Sequence, residues 1–185
     1  MSSDPSQLAA PSVRTLAPYV PGKPIEELER EYGISDVVKL ASNENPLGPG
    51  PLARAAIVRA ATDIGLYPDG GGFALKQALA RKHGCAPESI TLGNGSNDVL
   101  VLLAETFLTP DVEAVYSQYG FAVYPIAVQA TGAVARVAPA LPESDPMALG
   151  HDLDAMAKLV NDRTRIVFVA NPNNPTGTWV EGAAL

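Results

Sequence analysis

The apolar positions of this chain change rhythm several times. Ile25 to Tyr32 has helical spacing, opened by Pro24 and closed by Gly33. Val37 to Leu40 reads as a short strand. Helical spacing returns over Leu52 to Ile64 and over Phe73 to His83, where Gly84 ends the run. Ser89 to Leu92 reads as a strand entering Gly93-Asn94-Gly95-Ser96-Asn97-Asp98. Behind that loop Val99, Leu102, Leu103 and Phe107 recur at i, i+3, i+4 and i+8, which predicts a helix burying that face. The rest alternates: strand Val112 to Tyr116, helix Phe121 to Thr131, strand Val134 to Ala138, helix Leu153 to Asn161, strand Ile166 to Ala170.

Strands alternating with helices predict an α/β layer fold with a mostly parallel sheet. Ile166-Val167-Phe168-Val169-Ala170 is apolar throughout, as expected of a strand buried on both faces. Met1 to Ser12, rich in Ser, Pro and Gln, reads as a loose arm. Another helix is expected to begin after Gly177, so a chain ending at Leu185 would leave its sheet half-built; the sequence is expected to be a fragment of a longer protein.

Composition narrows the function classes. Of 185 residues, 46% are apolar, enough for a substantial core. Lys and Arg number 13 against 20 Asp and Glu, a net charge of −7 without a basic cluster, which argues against nucleic acid as a partner. No apolar stretch approaches the ~18 residues of a membrane span, and no secretory signal is visible. Cys85 is the single cysteine, so no internal disulfide is possible, and a reducing, cytoplasmic setting is expected. His83, Cys85 and His151 are the only soft metal-ligand candidates; His83 and Cys85 read as a helix end, and no metal is expected.

Two loops could carry chemistry. Gly93-Asn94-Gly95-Ser96-Asn97 precedes a helix, where free N–H groups and the helix dipole suit phosphate. It lacks the third glycine of a dinucleotide fingerprint and the Gly-Lys-Ser/Thr of a nucleoside-triphosphate loop. The same residues also fit a plain turn with Ser96 or Asn97 as helix cap. Asn171-Pro172-Asn173-Asn174-Pro175-Thr176-Gly177 follows a strand, where an open α/β sheet places its ligand crevice. Two prolines fix its turns and three amides offer donors.

Asn-Pro-x-Asn-Pro-Thr-Gly after an apolar strand resembles the signature of the class I and II aminotransferases. Leu40-Ala41-Ser42-Asn43-Glu44-Asn45-Pro46-Leu47-Gly48 is similar to the N-terminal motif of their histidinol-phosphate branch, and Tyr67-Pro68-Asp69 with Leu75 to Ala80 to its next block. Gly93 to Asn97 and Tyr119-Gly120-Phe121 follow in order, so that the resemblance covers nearly the whole chain.

The resemblance implies a partial three-layer aminotransferase fold of type I, with residues 1–45 as N-terminal arm and small-domain segment and 46–185 as the first part of the large cofactor-binding domain. The implied cofactor is pyridoxal 5'-phosphate. Ser96 and Asn97 would hold its phosphate, Tyr119 would stack on its ring, and Asn174 would bond its phenolic oxygen. Tyr67 would reach the phosphate held by the neighbouring subunit of a homodimer. Tyr19 and the Asn43-Glu44 pair match positions lining the substrate pocket. The implied reaction is transamination of L-histidinol phosphate with 2-oxoglutarate in histidine biosynthesis. An aromatic or broad-specificity aminotransferase, a phosphothreonine decarboxylase of the same fold, or an inactive truncated chain are the alternatives. The family's catalytic lysine, its acid at the ring nitrogen and its substrate arginines would lie beyond Leu185. Lys23, Lys39, Lys76, Lys82 and Lys158 stand in no matching context, so residues 1–185 alone are expected to show no transamination. The motif also implies a cis peptide at Asn174–Pro175.

Overall fold

The computed structural model describes residues 4–40 and 42–185; Met1–Ser3 of the expected arm and Ala41 of the Leu40–Gly48 motif lie outside the described residues. The chain forms two compact units, one of Gly93–Leu185 with the chain up to Tyr19, the other of Val20–Leu92.

The first unit is built on a parallel sheet of three strands in the order β2-β1-β3: β1 (Glu113–Ser117), β2 (Val134–Ala138) and β3 (Thr164–Phe168). Glu113 to Ser117 align with Val134 to Ala138 on one side; on the other, Ala114, Val115 and Tyr116 align with Ile166, Val167 and Phe168 after a bulge. β1 is central and every one of its residues is buried. Helices α4 (Ser96–Phe107) and α5 (Val123–Thr131) cover one face, and α6 (Leu153–Leu159) the other. Ala104, Leu108, Tyr116, Tyr124, Ala127, Val128 and Phe168 close the first layer. Val115, Ala138 and Met156 close the second. The side chain of Asp152 caps α6 by accepting from the Ala155 N–H at 2.9 Å.

The second unit holds α1 (Ile25–Tyr32), α2 (Pro51–Ala60) and α3 (Phe73–His83), with short 3-10 turns at Ala61–Asp63 and Pro87–Ser89. Pro24 opens α1 and Gly33 closes it, as the sequence predicts. Gly84 likewise ends α3 at His83, which leaves His83 and Cys85 as a helix end. Among its described residues only Ala80 is buried.

Four expectations are corrected. Val37 to Leu40 and Ser89 to Leu92 form no strand: the sheet lies in the other unit, and without a partner ladder an extended segment has nowhere to place its backbone groups except water. β3 is buried only on alternate residues, with Val167 44% exposed, because α6 packs over β1 and β2 and leaves this part of β3 open; the strand buried on both faces is β1. The face that α4 buries is Leu100, Ala104 and Leu108, while Leu102, Leu103 and Phe107 stay exposed. Residues 4–12 are more than a loose arm. Asp4 caps a 3-10 turn at Pro5–Leu8, and the Ser12 hydroxyl donates to the Ala130 carbonyl at the end of α5.

A buried charge anchors the end of the sheet where the strands begin. Glu113 is wholly buried; its carboxylate accepts from Arg136 Nε at 2.8 Å and Asn161 Nδ2 at 2.9 Å, and pairs with Arg163. The Arg136 bond, then that of Asn161, then the charges of both arginines hold its carboxyl below the usual carboxylate range. A depressed folded-state value stabilises the fold at every pH above the unfolded value of ~4.3, and that contribution is lost as pH falls through the lowered value. Glu113→Gln is therefore expected to lower the melting temperature at neutral pH, leaving two arginines without their counter-charge. Its deficit against the parent protein should shrink as pH falls below about 4. Thermal melts across that range check this; a deficit that stays constant with pH would reject it.

Candidate functional site

The strand order brings the loops after β1 and β3 to one edge of the sheet. From β1 the chain passes through α5 to β2 on one side, then through α6 to β3 on the other. The loops that follow β1 and β3 therefore emerge side by side at the C-terminal ends of two neighbouring parallel strands, where an open α/β sheet places its ligand crevice. The Tyr119 turn follows β1 there, and the Asn171–Gly177 loop follows β3.

α4 delivers a third element to the same edge. Leu108 and Pro110, just after its C-terminal end, line a groove with Ala130 and Thr131 at the C-terminal end of α5, and Pro110 lies beside Gly132, which ends α5. The two helices thus run parallel, and both start near the C-terminal ends of the strands. α4 starts at Ser96, and its cap residue is Gly95, which supplies no side-chain hydrogen bond. Ser96 and Asn97 are thus the first two helical residues, and neither serves as the cap. Gly95 sits at φ 85°, ψ 174°, a conformation that a residue with a Cβ rarely adopts. The Asp98 carboxylate accepts from the Asn94 N–H at 3.0 Å and so closes the loop on itself.

The Tyr119 turn is tight. Gly120 N–H donates to the Ser117 carbonyl at 2.8 Å. Tyr119 is 41% exposed, and the turn leads into an aromatic layer in which Tyr124 stacks on Phe168 at 4.6 Å and meets Phe121 edge-on at 6.0 Å. Burial pushes the phenols of Tyr116 and Tyr124 up, so both stay neutral and act as packing. Tyr19 lies edge-on to Phe121 at 6.5 Å, which brings it to this same turn. Gln129 holds the preceding segment by donating to the Ser12 carbonyl and the Thr15 hydroxyl.

In the loop after β3, both Asn171–Pro172 and Asn174–Pro175 are cis; the second matches the expectation and the first was not anticipated. Asn171 pairs through its amide with both backbone groups of Val180, closing the loop at its base. Asn173, which the motif leaves as a variable position, is the buried residue of the loop. Its Nδ2 donates to the Tyr119 carbonyl at 3.0 Å and to Thr176 Oγ1 at 2.8 Å. Asn174 is partly buried beside it.

Ser96, Asn97, Tyr119, Asn174 and Tyr19 thus belong to one unit and lie toward one edge of its sheet. Tyr67 and Asn43 belong to the other unit, both exposed. Tyr67 precedes a turn in which the Asp69 carboxylate accepts from the N–H groups of Gly71 and Phe73, fixing the entry into α3. Glu44 pairs with Lys39 at 2.7 Å, and Asn45 closes the turn to Gly48. The single lysine of the first unit, Lys158, is in the last turn of α6, toward the opposite edge of the sheet. Sequence reasoning missed two buried residues: Asn173, and His151, whose Nε2 lies 3.0 Å from the Ala170 carbonyl just before the loop. Among the described residues no group of three His, Cys, Asp or Glu could hold a metal ion, and no helix is long and apolar enough to cross a membrane.

Comparison with known proteins gives a consistent picture. The family model for aminotransferase class I and II matches residues 35–185. The chain is 56% identical over 181 residues to histidinol-phosphate aminotransferase 2 of Pseudomonas fluorescens, covering 97% of this chain and 47% of that protein. It is 58% identical over 171 residues to histidinol-phosphate aminotransferase 2 of Methylococcus capsulatus, covering 92% and 46%. The crystal structure of histidinol-phosphate aminotransferase from Sinorhizobium meliloti in complex with pyridoxal-5'-phosphate superposes with a TM-score of 0.78 at 29% identity, over 92% of this chain and 44% of that one. The chain spans about half the length of the curated relatives it matches.

An added carbon would crowd the Tyr119 turn. A Cβ on Gly120 would sit 3.0 Å from the Ser117 carbonyl oxygen and 3.1 Å from the Tyr124 ring. The carbonyl cannot retreat without giving up the bond that forms the turn. Gly120→Ala is expected to destabilise the protein by about 1–3 kcal/mol, as overpacking does. Chemical denaturation measures it, and an unchanged midpoint would show that the turn can relax.

Proposed function

We propose that this chain, which belongs to the class I and II aminotransferases, is part of a pyridoxal-phosphate-dependent enzyme transferring the amino group of L-histidinol phosphate to 2-oxoglutarate in histidine biosynthesis. The observation that carries this reading is the gathering of an uncapped helix start, an exposed aromatic ring and an amide-rich loop at the C-terminal edge of one sheet.

These residues fit the cofactor. A phosphate needs N–H donors that no side-chain oxygen already occupies, and Gly95 leaves the start of α4 open in this sense. The backbone of Ser96 and Asn97 would hold the phosphate. The Tyr119 ring would stack on the pyridine and limit its tilt. The Asn174 amide would donate to the phenolic oxygen. Tyr67, fully exposed on its turn, would reach the phosphate held by a second subunit in a homodimer, and Tyr19 and Asn43 would each contact the substrate. Pyridoxal phosphate, when bound, supplies the electron sink for the carbon that carries the transferred nitrogen. The residues of this chain orient and retain the cofactor, while the lysine that moves the proton and the acid at the ring nitrogen are assigned to the half of the relatives' length that this chain does not span. Residues 1–45 as arm and small-domain segment, 46–185 as the start of the large domain, and a cytoplasmic location belong to the same reading.

The full-length protein is expected to turn over histidinol phosphate in preference to phenylalanine, with 2-oxoglutarate as acceptor. Comparison of kcat/KM for the two amines tests this, and a preference for phenylalanine would replace it with the aromatic aminotransferase reading.

Replacing Tyr119 removes the stacking surface while leaving the backbone turn intact. Tyr119→Ala is expected to weaken cofactor retention by about tenfold, the upper range for an aromatic pair, without lowering the melting temperature of the cofactor-free protein. Absorbance titration with pyridoxal phosphate gives the dissociation constant; an unchanged value would remove Tyr119 from the site.

A further inference from the structure

We propose that Asn173 is the positioning residue that sets the Tyr119 ring and the Asn174 amide relative to one another; this rests on the cofactor reading above. The two groups arrive from different strands, β1 and β3, separated by more than fifty residues of chain. Neither loop alone determines where the other stands. Asn173 Nδ2 carries two hydrogens, and the structure uses both: one to the Tyr119 carbonyl at 3.0 Å, one to Thr176 Oγ1 at 2.8 Å. Thr176 Oγ1 is 2.7 Å from Thr178 Oγ1, so the network runs from the turn after β1 to the return segment of the loop after β3. The backbone of Asn173 joins the same frame: its N–H donates to the Thr178 carbonyl at 2.7 Å and its carbonyl accepts from Gly177 N–H at 2.8 Å.

The amide is kept at a cost. Asn173 is 3% exposed, and its Oδ1 is buried without a hydrogen-bond partner. A buried acceptor left unmade is unfavourable, and an apolar residue of similar size would avoid it. The orientation is also determined: turning the amide over would set Oδ1 against the Tyr119 carbonyl. Its two donors are therefore the reason for an amide at this position. Asn174, the next residue, is carried on the segment that these bonds hold.

The test is a double-mutant cycle in the full-length protein, read as the dissociation constant of pyridoxal phosphate and the circular dichroism of its bound absorbance band. Asn173→Asp keeps the shape and, when ionised, removes both donors. It is expected to weaken retention about fivefold and to alter the band, but less than about twofold when Tyr119 is already Ala, since the ring it positions is then absent. A general structural role would weaken retention equally in both backgrounds, and that result overturns the proposal, as does an unchanged constant. If Asn173→Asp does not fold, Thr176→Val removes one of the two acceptors more gently. It is expected to cost about twofold in the parent and nothing with Tyr119→Ala, and equal losses would again overturn the role. Failure of the underlying reading is separately visible: there, Tyr119→Ala by itself leaves retention unchanged, and the positioning role falls with it.

Discussion

β1 is enclosed on both faces and both edges, so its polar groups can find partners only inside the protein. At its first residue the Glu113 carboxylate meets Arg136, Arg163 and Asn161, which draw β2 and the turn before β3 around one charge. At its last residue, the Ser117 carbonyl accepts from Gly120 and so begins the turn that presents Tyr119. The two ends have different work. The charged end stabilises the edge where the strands begin, and the neutral end leaves the opposite edge open to a ligand.

Parallel strands make that separation possible. Because β1 and β3 run the same way, their C-terminal loops emerge side by side, and the helices starting there point their free N–H groups toward the same edge. The aromatic layer of Tyr124, Phe168 and Phe121 packs the segment that follows the turn, and Tyr119 stays exposed.

Local signals were legible wherever a residue type admits few conformations. Pro24, Gly33 and Gly84 marked the limits of α1 and α3, and the alternation from residue 112 onward located β1, α5, β2, α6 and β3 within a few residues. The Asn-Pro-x-Asn-Pro-Thr-Gly segment marked the loop after β3 by composition alone. The face buried by α4 was harder, because Leu100, Leu102, Leu103, Ala104 and Leu108 put apolar side chains almost all round it. Its apolar periodicity therefore fits more than one orientation, and the short side chain of Ala104 decides it by allowing α5 to approach.

Strand status and partner choice were a different matter. Val37 to Leu40 and Ser89 to Leu92 have strand-like side chains, yet a strand exists only where another backbone offers a ladder, and that is a property of the whole fold. Burial of β3 depended likewise on where α6 packs across the sheet. The sequence by itself determined the order of the helices and, from residue 112 onward, of the strands, together with the positions of the two chemistry-bearing loops and the family, because these rest on local conformational preference and on residue identity. Only the tertiary structure decided that Asn173 touches the Tyr119 carbonyl and that Glu113 is ringed by Arg136, Arg163 and Asn161. Those contacts join residues distant in sequence, and side-chain spacing carries no record of which distant partner a buried polar group will meet.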